Sequence, residues 1–125
     1  MCVFCDKTVS DDFISEKESC IAFYDSFPVS KYHVLIVPKR HVESFFSLTD
    51  NERNDILQLA SDLKEEIEYM DSSITGWNIG FNCGESAGQT VFHCHCHLIP
   101  RRKNDCENPI GGVRGCIPHK MNYVV

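Results

Sequence analysis

Between Gln89 and Pro100 the chain reads Gln-Thr-Val-Phe-His-Cys-His-Cys-His-Leu-Ile-Pro, with a histidine at every second position: His93, His95 and His97. A period of two is that of a β-strand, whose alternate residues share a face and stand roughly 6–7 Å apart. On an α-helix, residues two apart are swung about 200° around the axis and cannot share a face. The spacing therefore predicts a strand with its three histidines on one side. Phe92, Cys94, Cys96 and Leu98 then turn into a core on the other, and Pro100 ends the run.

A chain of 125 residues is long enough for one domain with a real core, and residues 1–125 read as a single domain without repeats or linkers. No run approaches the ~18–20 apolar residues of a membrane span, and the start lacks the basic and apolar regions of a signal peptide. The expected compartment is a reducing, cytoplasmic one. A net charge of −6 argues against a nucleic-acid partner, which calls for a basic patch or stripe. It leaves room for an anionic small molecule where cations cluster, with Arg101, Arg102 and Arg114 as candidates. Eight cysteines would suit a disulfide framework, but Cys20, Cys94 and Cys96 stand in apolar runs, where a free thiol acts as a small hydrophobe. Cys2 and Cys5 differ. Their Cys-x-x-Cys spacing makes either half a metal site or a redox pair, and no strand precedes it as the redox motif would require.

The remaining elements follow from pattern. Residues 6–18 are polar and give no helix. A short strand is expected over Asp12–Ser15, a second over Ser19–Asp25 and a third over Tyr32–Val37, stopped by Pro38. Thr49 with Glu52 three residues on is a capping box that opens a helix to Met70. Its Ile56, Leu59, Ala60, Leu63, Ile67 and Met70 recur at helical spacing, while Glu52, Asp55, Asp62, Glu65, Glu66 and Glu68 read as a solvated face. A fourth strand spans Ile74–Asn82, with Trp77, Ile79 and Phe81 alternating against Asn78 and Gly80. Gly88, in the loop before the histidines, lets a ligand approach the backbone. The fold expected is α+β: a five-stranded antiparallel sheet backed by one main helix.

The stretch Asn82–Pro100 resembles the signature of the histidine-triad (HIT) family, in which three alternating histidines are followed by apolar residues. Gly88-Gln89-Thr90 is similar to the loop that leads into that strand. Cys20–Asp25 resembles the family's ribose-contacting strand, and His33–His41, with Pro38-Lys39-Arg40, its next strand. Three features depart from the pattern. Cys94 and Cys96 replace aliphatic residues, Tyr32 stands where a glycine is expected, and the N-terminal helix of the phosphoramidase branch is not apparent. The tail from Gly111 to Pro118 looks like that of bacterial dinucleoside-polyphosphate hydrolases.

The resemblance implies a nucleotide hydrolase working at an α-phosphate, with His95 as nucleophile and a nucleotidyl-histidine intermediate that water resolves to a nucleoside monophosphate. It implies a hydrogen bond from His97 to the phosphate, and Gln89 and Thr90 reaching the phosphates or leaving group. Asn82 would position the phosphate, Asp25 would take the ribose hydroxyls, and Val3 and Phe4 would meet the base. The attacking nitrogen of His95 must be unprotonated, so its other nitrogen is expected to donate to a backbone carbonyl. In the zinc-containing branch, Cys2, Cys5, His41 and His93 match a structural Cys₂His₂ set. The family also implies a homodimer. Two other classes remain open on the sequence: a hydrolase whose three histidines hold a catalytic metal, and a nucleotide-binding module without turnover.

Overall fold

A computed structural model describes residues 2–124. Its elements are α1 (Val3–Val9), β1 (Ser15–Glu16), β2 (Cys20–Tyr24), β3 (Val34–Pro38), α2 (Asp50–Met70), β4 (Ile74–Phe81) and β5 (Cys96–Arg102), with short 3-10 turns in the loops and tail. The strands form one antiparallel sheet in the order β1-β2-β3-β5-β4. The expected α+β architecture is therefore the one observed.

Strand alternation gives the sheet two different faces. Cys20, Ala22, Val34, Ile36, Cys96 and Leu98 point to one side and meet Ile56, Leu59, Leu63 and Ile67 of α2. Burying each such aliphatic side chain contributes about 1.5–3 kcal/mol. Burial pushes the Cys20 thiol up to about 11 and those of Cys94 and Cys96 up to about 12. All three are protonated packing groups, and all eight cysteines are unpaired. Ile21, Phe23, Leu35 and Val37 point the other way and pack on Phe4 of α1. The histidines belong to this second face.

The Thr49–Glu52 capping box forms as expected, with both reciprocal hydrogen bonds made. Glu52, however, is buried beneath Arg40, which holds its carboxyl below the usual range through two hydrogen bonds. Asp55 is not free either, because it accepts from both the backbone N–H and the hydroxyl of Ser19. Met70, read as part of the apolar stripe, is exposed on the last turn.

Other expectations are corrected. A helix, α1, occupies Val3–Val9 where none was expected. It is too short for a periodic signal and lacks a side-chain cap. The strand expected at Asp12–Ser15 shrinks to Ser15–Glu16. The histidine strand begins only at Cys96, so His93 and His95 lie on the bent, irregular segment that feeds it. There the chain parts from β3, and the His93 ring, bonded to the Pro38 carbonyl, bridges the gap that backbone pairing leaves. Phe92 is 44% exposed and takes no part in the core. Pro100 lies inside β5 rather than ending it. Pairing with β3 ends at Leu98, and the Pro100 carbonyl on that side accepts from the Ser30 hydroxyl. No ladder partner waits for the N–H that proline lacks.

Tyr32 adopts a left-handed backbone with φ of +74°. That conformation is why a glycine suits the position, and a tyrosine there carries strain of order 1–3 kcal/mol.

Candidate active site and metal centre

The histidine run divides into two clusters. At its start, His93 meets Cys2, Cys5 and His41, with all four donor atoms within 4.8 Å of one another. His93 Nδ1 lies 3.5 Å from both Sγ atoms, and Cys5 Sγ lies 3.4 Å from His41 Nδ1. A tetrahedral ion with Zn–S of ~2.3 Å and Zn–N of ~2.05 Å has S···N edges of about 3.6 Å. The observed separations match that figure. His93 Nε2 donates to the Pro38 carbonyl at 2.7 Å, which fixes the ring as the tautomer with Nδ1 bare. Burial also holds His93 below its ordinary pKa and so neutral, the form a metal needs. Burial and the neighbouring Cys2 sulfur raise the Cys5 thiol, a cost that a cation between the two sulfurs would reverse.

The second cluster begins two residues later. His95 is 8% exposed, and its Nδ1 lies 2.8 Å from the backbone carbonyl of His93. Only a protonated Nδ1 can make that bond, so in the neutral ring Nε2 carries the lone pair. His97, on β5, faces His33, which lies just before β3. His33 Nδ1 accepts from the Val29 N–H at 3.1 Å, so its proton is on Nε2, 3.0 Å from His97 Nδ1. His97 therefore accepts at Nδ1 and keeps its own proton on Nε2. Burial, then the neighbouring His95 and His33, lower the His97 pKa to about 4; burial also lowers that of His33. Both rings are neutral at pH 7. Asp25 stands 3.5 Å from His33 Nε2, and its other oxygen accepts from the Phe27 N–H.

The three triad rings do not converge. Nδ1 of His93 points to the cysteines, that of His95 to a carbonyl, and that of His97 to His33. One metal shared by all three does not fit these directions.

A cavity of about 800 Å³ opens against the second cluster, lined by His33, His97, Asn78, Asn82, Gly88 and tail residues that include Val113. The other residues implied by the resemblance are placed less uniformly. Thr90 is exposed on the loop before the histidines. Gln89 is 4% exposed, and its amide is spent on the backbone at Gly84, Glu43 and Val91. Here it shapes the loop and does not face the cavity. Phe4 is buried core against Phe23 and His95, whereas Val3 is exposed. None of the candidate arginines is free. Arg101 binds Asp105 and Asn78, Arg102 binds Asp71, and Arg114 donates to tail carbonyls. His33 had no role assigned from sequence, because its link to His97 spans 64 positions.

The HIT domain family model matches residues 6–104. An uncharacterized HIT-like protein of Borreliella burgdorferi is 36% identical over 108 residues, covering 83% of this chain and 78% of that protein. An adenosine 5'-monophosphoramidase of Candida albicans is 32% identical over 81% of this chain and 70% of its own length. An asymmetrical bis(5'-nucleosyl)-tetraphosphatase of Schizosaccharomyces pombe is 39% identical over 67% of this chain but 46% of its own. Among solved structures, a zinc-bound histidine triad family protein of Mycobacterium smegmatis superposes with a TM-score of 0.76 at 30% identity, covering 83% of this chain and 77% of that one. The chain belongs to the HIT domain family.

Proposed function

We propose that the protein hydrolyses nucleotides that carry a leaving group on the α-phosphate, dinucleoside polyphosphates or nucleoside phosphoramidates, through a covalent adduct on His95. The bond from His95 Nδ1 to the His93 carbonyl carries this reading, because it leaves Nε2 as a lone pair at the required ring position. Nε2 attacks phosphorus, a P–N bond forms, and the leaving group departs with the electrons of the broken bond. Water then attacks phosphorus, the P–N bond breaks, and a nucleoside monophosphate such as AMP leaves with the ring restored. His97 presents its Nε2 proton to the phosphate and stabilises developing charge. The chain from Val29 through His33 keeps that proton in place. Asn82 positions the phosphate, Thr90 reaches the leaving group, and Asp25 takes the ribose hydroxyls. Two relatives are named for a dinucleoside tetraphosphatase and a phosphoramidase activity, which supports this substrate class.

Cys2, Cys5, His41 and His93 would hold one zinc ion. With four protein donors it leaves no open position for water, so it supplies structure only. Eight unpaired thiols suit a reducing, cytoplasmic setting, and among the described residues no helix is long and apolar enough to cross a membrane. A homodimer is part of the proposal: β4 is an edge strand, and Ile79 on it is exposed. Small-angle scattering at micromolar concentration should give twice the chain mass.

The reaction is tested by mixing protein briefly with labelled diadenosine tetraphosphate or adenosine phosphoramidate and quenching in alkali. Label should be retained on His95, because phosphorus–histidine bonds survive base and break in acid. Turnover without any adduct, fully dependent on a removable metal, would overturn the proposal.

A further inference from the structure

We infer that Phe4 is a positioning residue for His95, through which the Cys2–Cys5–His41–His93 centre sets the geometry of the reacting ring. The inference rests on the reading of His95 as nucleophile.

Phe4 stands between the two cysteines on α1, a helix of seven residues with no side-chain cap. A helix that short does not hold itself in water. The sulfurs of Cys2 and Cys5 and the Phe4 side chain between them, all at its N-terminal end, therefore fix its place. The Phe4 ring centroid lies 5.1 Å from that of His95, at an interplanar angle of 71°, and 6.0 Å from that of His93, at 79°. Phe23 of β2 backs it at 5.4 Å. The two histidine contacts are edge-to-face, of the kind that fix the plane of one ring against another.

His95 needs such a contact. Its single hydrogen bond, to the His93 carbonyl, pins one atom, and the tilt of the ring that aims Nε2 rests on its edge contacts with Phe4 and with His97, the latter at 5.1 Å and 63°. His93 is also the buried member of the metal set, bonded to Pro38 through its other nitrogen. One residue thus ties the centre to both constraints on His95: its carbonyl accepts the hydrogen bond from Nδ1–H, and its ring packs on Phe4. Loosening the centre would release both together. A misplacement of about 1 Å in a reacting group is enough to cost roughly 10²-fold in rate.

The test uses Phe4→Leu and Phe4→Met, which keep an apolar group of similar volume. Zinc content, KM, the rate of adduct formation on His95 and the ¹⁵N-edited ring N–H signal of His95 are measured for each and for wild type before and after chelation. Both variants should keep zinc and a KM within about threefold of wild type, while adduct formation slows roughly 10–100-fold. Their His95 N–H signal should broaden through faster exchange with water. Chelated wild type should show the same two changes, and chelation should add little to the variants, since both act on one ring. Variants with zinc, the wild-type adduct rate and an intact signal would overturn the inference. So would variants that lose zinc, because the ring would then serve the centre rather than the nucleophile. Should neither variant fold, chelated wild type that keeps its rate and signal overturns it equally. Absence of an adduct in wild type sinks the catalytic reading itself, a separate result from any of these.

Discussion

His93 and His95 are two residues apart, yet their rings are held by opposite logic. His93 donates from Nε2 to Pro38 and turns Nδ1 toward two sulfurs. His95 donates from Nδ1 to the His93 carbonyl and leaves Nε2 bare. One carbonyl acceptor on each ring, placed on different nitrogens, selects opposite tautomers from the same side chain. In the proposed reading, what separates the metal ligand from the nucleophile is which nitrogen the backbone reaches first.

The sharpest way to break the contrast is His95→Ala. Hydrolysis should fall by roughly 10³–10⁶-fold, as when a nucleophile is removed, with nucleotide binding kept. Steady-state turnover together with equilibrium binding checks this, and substantial residual turnover would abolish the distinction. At the other pole, Cys5→Ser should release the metal and lower Tm by about 10 °C or more, since an ion bound only in the folded state adds to its stability. Elemental analysis of wild type, purified without chelators, should give one zinc per chain; a metal-free preparation would contradict the proposed site.

Between these poles stands the His33–His97 pair. His33→Gln removes the ring that fixes the His97 tautomer and should lower kcat roughly 10–100-fold, with little change in KM, since proton positioning contributes on that scale. An unchanged kcat would leave His33 a packing residue only.

A smaller effect follows from pH. Burial places the His97 pKa at about 4 in the folded protein, against about 6.5 in an unfolded chain. Between those values the unfolded chain binds more protons, so this contribution to stability is complete above about pH 6.5 and lost as pH falls toward 4. Urea unfolding at pH 7 and pH 5 should show the drop, and His97→Gln should shrink it. The smallest change expected is Tyr32→Gly. It relieves the left-handed strain but loses ring packing, so the two effects offset to within about 1 kcal/mol by urea titration.

The strand periods, the capping box and the alternation of Cys94, Cys96 and Leu98 against the histidines were legible because local pattern and burial agree there. The Cys2–Cys5 spacing was legible as either half a metal site or a redox pair, and its completion by His41 and His93 came from family resemblance. Helix α1 escaped notice because contacts with β2 and the histidine segment hold it, and its own sequence carries no periodic signal. Arg101 and Arg102, candidates for an anion, and Glu52, expected on a solvated face, are each held by an opposite charge, because charge in a sequence says nothing about the partner that neutralises it. The sequence by itself determined which residues alternate and which chemistries they carry. The His95 tautomer could be expected from sequence, since its acceptor is the carbonyl two residues back. Only tertiary structure decided which nitrogen of His93 and of His97 holds its proton, because the deciding acceptors and donors (Pro38 for His93, Val29 and His33 for His97) reach those rings through space and not through local pattern.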